Sequence, residues 1–359
     1  MTYNVEKLAA NFALGSKIVA ITECNIGHIN GTYFVDTENN RFVLQKINQN
    51  VFKKPEQVMA NIVAVTKHIK KKIKAEKDEG NGCTLDFLRS GRNYYFYDED
   101  GECWRCYAFV DGKCHQACES TEIMTEVGRT FGNFQRLLAD FDASALYETI
   151  KDFHNTVKRY EAFERIVAAD PVGRVAKLAD EIEFVRARRG ICNLIVDGIK
   201  SGKYPIRVTH NDTKLNNVIM DHETGKGRCV LDLDTVMPGS LLYDFGDAIR
   251  FCASSAPEDE TDLSKVYVKT EMFEAYAKGF IEGIGANISE AELDAFPDAA
   301  KIITFETGMR FLTDYIDGDN YFRTGYPEHN LDRARNQFKL VADIETKEAE
   351  FKRIIKNLK

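Results

Sequence analysis

The hydrophobic spacing changes character once along this chain, and that change limits the architectures open to it. From Ile18 to Val110 the apolar pieces read mostly as extended: "KIVAITECN", "TYFVDT" and "RFVLQKIN". "NYYFYDEDGECWRCYAFV" reads as a hairpin that turns at "DEDG". One helix interrupts, from about Pro55 to Lys77, with proline near the first turn, where its missing N–H does no harm. From about Thr121 onward the spacing is mainly helical. "MTEVGRTFGNFQRLLADF" puts Val127, Phe131, Phe134 and Leu138 on one face, and Gly128 and Gly132, four apart, leave room for a close neighbour. Only the stretch around 204–235 departs from the helical pattern. The expected fold is therefore α+β: a small antiparallel β-sheet lobe over 1–110, a mainly helical lobe over 111–359, and a hinge near Phe109 to Gly112.

Composition removes several function classes. With 359 residues, 44% of them hydrophobic, the chain is long enough for two lobes with cores of their own. A net charge of −8 speaks against a nucleic-acid surface. The one basic run, "KHIKKKIKAEK" from Lys67, carries Ile69 and Ile73 at helical spacing and reads as the wet face of a helix. No apolar run is long enough to span a membrane, and "MTYNVEKLAANF" lacks the pattern of a signal peptide, so a cytoplasmic location is expected. Nine cysteines form no framework, which suits free thiols in a reducing compartment. Cys103, Cys106, Cys114 and Cys118 flank His115, but "ECWRCYAFV" reads as a strand, and strand residues three apart face opposite sides.

The chemistry concentrates in two segments. "HNDTKLNN" spans His210 to Asn217 between two strand-like pieces. After "DHETGKGR", a turn-rich connection suited to a hairpin, comes "CVLDLDTVMPG". There a strand pattern puts Val230, Asp232 and Asp234 on one face and Leu231 and Leu233 on the other. If the hairpin forms, Asp212, Asn217, Asp232 and Asp234 are brought together. Three carboxylates and an amide repel one another without a cation, and oxygen ligands of this kind suit Mg²⁺ with substrate phosphates. Any one of these residues alone reads as a turn cap; the spacing of the set is what points to a site.

That spacing, H-x-D-x(4)-N followed by an apolar pair and D-x-D, resembles the aminoglycoside phosphotransferase and choline kinase group of the protein-kinase-like superfamily. The resemblance runs from "IGHINGTYFV" to "GMRFLTDYIDGDNYF". Within the group, "RVTHNDTKLNN", "LDLDTVMPGSLLYDFGD" and "YPEHNLDRARNQFKLV" look most like the kinases that phosphorylate N-acetylhexosamines. The resemblance implies a bilobal fold, ATP as co-substrate, and Mg²⁺. Asp212 would be the base that takes the acceptor proton, Asn217 and Asp232 would hold the metal, and Asp234 would complete its shell or touch the sugar. Lys214 would reach the transferring phosphoryl group. His210 and Asp244 would support the loop.

The front lobe departs from the pattern. "NIGHINGTY" offers Gly27 and Gly31 where the phosphate-covering turn belongs. The strand lysine of V-A-I-K should fall at the end of "FVLQ", where Gln45 stands. Lys46 is adjacent and should point to the other face unless a bulge turns it inward. The resemblance places adenine against Phe109 and Val110. Helical spacing puts Glu306, Arg310 and Asp314 on one stripe, which reads either as an exposed charge ladder or as a guanidinium held for the sugar. The resemblance favours the second, with Tyr321 and His28 as further sugar contacts. The function expected is phosphorylation of N-acetylglucosamine or N-acetylgalactosamine at the anomeric hydroxyl, by a monomer with no nucleic-acid or membrane partner. Two alternatives stay open: the same chemistry on another small alcohol, to which Asp314, Asp317 and Asp319 could lend charge, and a non-catalytic nucleotide-binding relative.

Overall fold

Alternation in the front segment produces strands where expected. The structure is a computed structural model, and it describes residues 4–24, 30–76 and 83–359. By its contacts the chain divides into two compact units. One comprises 1–114 with 140–151 and 218–238; the other comprises 115–139, 152–217 and 239–359.

The first unit is built on an antiparallel sheet of five strands: β1 (Ile18–Cys24), β2 (Gly31–Thr37), β3 (Arg41–Lys46), β4 (Phe96–Tyr97) and β5 (Cys103–Ala108). Their order is β1-β2-β3-β5-β4. The register makes Thr32, Gln45 and Arg105 one row across three strands, because Thr32 pairs with Gln45 and Gln45 with Arg105. Partners directly opposite project to the same face, and neighbours along a strand to opposite faces. One face therefore carries Val35, Phe42, Leu44, Trp104 and Cys106, which pack with Leu8, Phe12 and Leu14 into a dry core. The row of Thr32, Gln45 and Arg105 belongs to the other face. The turn at 98–101 closes as expected, with Gly101 at a φ of 78° and its N–H donating to the Asp98 carbonyl at 3.1 Å.

Helix α1 (Pro55–Glu76) follows β3 and buries Val58, Ile62, Val65 and Ile69, leaving Lys67, Lys70, Lys71 and Lys74 exposed. Its buried Asn61 clamps two other segments of this unit. The amide donates to the carbonyls of Tyr147 (2.8 Å) and Val236 (2.9 Å) and accepts from the Tyr147 N–H (2.8 Å).

The hairpin read at "DHETGKGR" is present as β6 (Val218–Met220) and β7 (Gly227–Val230). Sequence analysis places one boundary after Val110; the hairpin lies far beyond it in the chain yet groups with the first unit. The reason is a two-way bond between Lys113 and Met220, whose N–H groups donate to each other's carbonyls at 2.7 and 2.9 Å. Gly112 makes this approach possible: a Cβ there would overlap the Ile219 side chain, and its φ of 153° disfavours other residues.

The second unit is helical. Helices α2 (Thr121–Leu137) and α4 (Thr270–Ile284) touch backbone to backbone, with α3 (Leu241–Cys252) between them in the chain. A Cβ on Gly128 or Gly132 would run into the carbonyl oxygens of Tyr276 or Phe280. Gly279 and Gly283 meet the Thr125 and Arg129 carbonyls in the same way. Both helices thus present glycines four apart, and the dispersion lost in side chains is replaced by direct main-chain contact. Helix α5 (Phe296–Asp317) is buried on nearly every side. Helix α6 (His329–Leu358) covers it with Leu331, Ala334, Phe338 and Val341. Stacked rings join the layers, Phe245 on Phe296 at 3.7 Å and Phe273 on Phe351 at 4.0 Å. Among the described residues no helix is long and apolar enough to cross a membrane.

Candidate active site

The polar loop of the second unit is held in place before any ligand arrives. Its apolar approach, Arg207–Thr209, ends as a strand, and Asn211 turns the chain with a φ of 65°. Asn is among the few residues that tolerate this left-handed region. The buried Asp244 of α3 fixes the turn. Its carboxylate accepts from the backbone N–H of His210 (3.0 Å) and of Asn211 (2.7 Å), and from the Gln135 amide (2.8 Å). Burial pushes the Asp244 carboxyl up, while His210 and these donors pull the other way.

His210 is fully buried between the rings of Phe131 (5.5 Å) and Phe134 (6.0 Å). Its Nδ1 accepts from the Asp212 N–H at 3.2 Å. Asp247, one turn after Asp244, accepts from the Thr213 N–H at 2.9 Å and pairs with Arg250 at 2.9 Å. Burial would raise its carboxyl, but Arg250 and Lys214 more than offset this and hold it below the usual range.

These braces leave Asp212 half-buried and facing polar partners. Lys214 Nζ lies 2.7 Å from its Oδ1. The Asp212 charge raises the Lys214 ammonium against the opposing effect of burial, so it stays protonated. Asn217 Nδ2 donates to the Asp212 carbonyl (2.8 Å) and to its Oδ2 (3.2 Å). The Asn217 Oδ1, the atom a cation would take, is not part of those bonds. Asp212, Lys214 and Asn217 therefore form one cluster, with His210 and Asp244 beneath it.

The second acidic segment differs from its expected form. Strand β7 ends at Val230, Asp232 adopts a φ of 53°, and Leu233–Thr235 form a single 3-10 turn. The left-handed residue breaks the two-residue period, so Asp232 and Asp234 do not share a strand face: Asp232 is exposed, and Asp234 is 3% exposed. Both oxygens of Asp234 already have protein partners. Oδ1 is ion-paired to Arg105 Nη1, and Oδ2 accepts from Asn30 Nδ2 at 2.7 Å. Asp234, expected to complete a metal shell or touch the sugar, thus has Arg105 and Asn30 as its partners within the protein.

In the sheet, Gln45 lies beside Arg105, whose Nε and Nη2 both donate to Gln45 Oε1, at 3.0 and 2.8 Å. Lys46 is on the opposite face, as alternation requires with no bulge in β3, and pairs with Glu102 at 3.1 Å. Phe109 donates its N–H to the Arg41 carbonyl at 3.0 Å and packs edge-on against Phe34; Val110 follows, half-buried. Gly31 opens β2, while Gly27 and His28 lie outside the described residues.

Arg310 is half-buried on α5 of the second unit, ringed by Phe153 (5.2 Å), Phe322 (5.4 Å) and Tyr321 (5.8 Å). Of the two readings of the Glu306, Arg310, Asp314 stripe, an exposed charge ladder is not what forms. Glu306 is fully buried and accepts from Thr156 Oγ1 (2.6 Å) and pairs with His154 Nδ1 (2.8 Å). Asp314 accepts the backbone N–H groups of Asn320, Tyr321 and Phe322 at 2.8–3.0 Å, which shapes the turn that carries Tyr321. Among the described residues Arg310 makes no hydrogen bond or ion pair within the protein. His154 was not legible as a site residue, yet it links the two clusters of this unit: its ring lies 4.9 Å from Tyr243 on α3 and its Nδ1 meets Glu306 on α5. Its Nε2 is buried without a partner.

Known families and solved structures can be set against this geometry. The family described as APH, phosphotransferase enzyme family, matches residues 20–277. Among solved structures, a microcompartment-associated aminopropanol kinase superposes with a TM-score of 0.62 at 14% identity, covering 97% of each chain. An aminoglycoside phosphotransferase from Alicyclobacillus acidocaldarius gives 0.61 at 11% identity, over 97% of this chain and 95% of that one. A choline kinase from Cryptosporidium parvum gives 0.59 at 13%, over 96% of both. Likeness at such low identity is likeness of fold, and the fold is the α+β, two-lobed, protein-kinase-like one. The family match spans most of the chain and includes both acidic segments, and on that ground this chain belongs to the phosphotransferase enzyme family.

Proposed function

We propose that this phosphotransferase is an ATP-dependent kinase of a neutral sugar, moving the γ-phosphoryl group to the anomeric hydroxyl of an N-acetylhexosamine. Structures of similar fold include an aminoglycoside phosphotransferase and a spectinomycin phosphotransferase with ADP bound, which supports a nucleotide co-substrate. The observation that carries the choice of acceptor is Arg310. A half-buried guanidinium with no ion pair among the described residues, ringed by aromatics, would repel the ammonium of a choline- or aminoglycoside-like acceptor and offer its donors to hydroxyl and amide oxygens. Of the three acids that a cationic acceptor could use, Asp314 and Asp319 are already engaged, Asp319 with Arg174 at 2.6 Å, and Asp317 alone is left for such a charge.

In this reading Asp212 accepts the proton of the attacking hydroxyl and holds its oxygen in line. Asn217 fixes that carboxylate through Nδ2, and Lys214 places a positive charge beside it. An anomeric hydroxyl is more acidic than an ordinary alcohol, so a carboxylate base suffices. The donors are of the kind Mg²⁺ takes, an amide oxygen of Asn217 in the second unit and the exposed Asp232 carboxylate in the first, and each would be a ligand of an ion that completes its shell with water and phosphate. When bound it would neutralise charge on the ATP phosphates. Loose phosphoryl transfer asks the protein mainly for positioning, which is what the braces around Asp212 supply.

The test is ADP release from Mg·ATP with a panel of acceptors: N-acetylglucosamine, N-acetylgalactosamine, glucose, choline, an amino alcohol and an aminoglycoside. Release should require the N-acetylhexosamines, and phosphorus NMR should show the phosphate on the anomeric carbon. Release with the amines alone would refute the neutral-acceptor reading; ATP binding without release on any acceptor would refute the enzyme.

A further inference from the structure

Arg105 lies in a closed ring of hydrogen bonds inside the first unit. Its guanidinium donates to Gln45 Oε1 through two N–H groups and is ion-paired to Asp234. Gln45 Nε2 donates to Thr32 Oγ1 (3.2 Å), and Thr32 Oγ1 donates to the Asn30 carbonyl (3.3 Å). Asn30 Nδ2 closes the circuit on Asp234 (2.7 Å), while its Oδ1 accepts from the Asn48 N–H (3.0 Å). Five residues from four segments are thus fixed by one another, and Arg105 is the only cation among them. Its side chain is 3% exposed. A buried charge-assisted network of this kind is costly to break and rigid when complete.

The placement of the ring gives it a function. Gln45 occupies the strand position where protein kinases carry the lysine that pairs the α- and β-phosphates. Asn30 stands immediately before β2, and Asp234 is two residues beyond Asp232. We propose that Arg105 is the positioning cation of the nucleotide site, replacing the strand lysine from the neighbouring strand: Gln45 orients its fork, Asp234 balances its charge, and the ring holds the start of β2 and the acidic turn in fixed relation for the ATP phosphates. The proposal rests on the kinase reading above and names the residue that does this work within it.

The experiment compares Mg·ATP and adenosine binding, and the KM for ATP and for the acceptor, in the wild type, Arg105→Gln, Arg105→Lys, Lys46→Ala and the double variant Gln45→Lys/Arg105→Gln, with a thermal melt for each. Arg105→Gln should weaken ATP by about tenfold or more, the scale of a lost charge-assisted contact. Adenosine binding and the acceptor KM should stay within about twofold, because neither involves the phosphates. Arg105→Lys keeps the charge without the fork and should fall between; it also serves if the glutamine variant does not fold. The double variant returns a cation to the usual strand and should recover most of the ATP affinity. Equal loss of ATP and adenosine with a lowered melt, no recovery in the double variant, or a loss with Lys46→Ala that Arg105→Gln does not show would each overturn the proposal. A wild type that neither binds nor turns over ATP would overturn the kinase reading itself, an outcome distinguishable from the others because no variant is involved.

Discussion

Asn211 and Asp232 both adopt left-handed backbone conformations, one just before the proposed base and the other at the proposed metal ligand. Non-glycine residues in this region cost of order 1 kcal/mol or more and persist only where surroundings enforce them. At Asn211 the enforcing group is Asp244. Replacing Asp212 with Asn keeps these braces and removes the basicity. Turnover should fall by about a thousandfold, within the range for a lost general base, while Mg·ATP binding persists. Near-normal single-turnover rates in that variant would remove Asp212 from the chemistry. Arg310→Ala should raise the acceptor KM about tenfold with little change in the ATP KM, as expected for a donor that touches only the acceptor; an unchanged acceptor KM would return Arg310 to a packing role. The bond between Asn217 and Asp212 joins residues five apart and lies within reach of local spacing, whereas Asp244 meets His210 and Asn211 across more than thirty residues, and its bracing place was expected from the family resemblance alone. Arg105 could not be read from local spacing, since its meaning depends on a cross-strand partner sixty residues away. His154 was hidden for a similar reason: its importance comes from a buried carboxylate more than a hundred residues on.

At the scale of elements, the sheet and the helix pair were largely legible, and the acidic turn was not. Alternation correctly separated Lys46 from Gln45 and found the β6–β7 hairpin. It failed at Asp232, because period counting assumes regular backbone and one left-handed residue resets the faces. Gly128 and Gly132 were read as room for a neighbour, and the neighbour is α4. Adding one methyl there must push the helices apart or bend a carbonyl. Gly132→Ala should therefore destabilise by about 1–3 kcal/mol, the usual cost of overpacking, and lower Tm by several degrees in calorimetry. Turnover per folded molecule should be unchanged. A Tm equal to wild type would mean that the two backbones are not in direct contact.

For the whole molecule, the buried carboxylates set the response to acid. Burial would raise Glu306, but His154, with help from Arg310 and Thr156, holds it below the ordinary carboxylate range. Asp247 is lowered for the parallel reason, with Arg250 as its main partner. Groups with depressed folded values contribute stability above the unfolded pKa of about 4 and lose it as pH falls through the folded value. Asp244 is shifted upward and works in the opposite sense, gaining stability as it protonates. The pairs Glu306–His154 and Asp247–Arg250 are broken as their carboxylates protonate, so Tm should drop as pH is lowered from about 5 to about 3. Glu306→Gln should start from a lower Tm at neutral pH and show a shallower acid slope; an unchanged slope would assign the acid response to other groups.

The ring around Arg105 also bears on control. In protein kinases the acid that balances the strand lysine rides on a mobile helix, so swinging that helix switches the enzyme on and off. Here the balancing carboxylate is Asp234, carried by a turn, and among the described residues no carboxylate of α1 pairs with Arg105. On the proposal that Arg105 is the positioning cation, nucleotide affinity would therefore be insensitive to substitutions along the exposed face of α1.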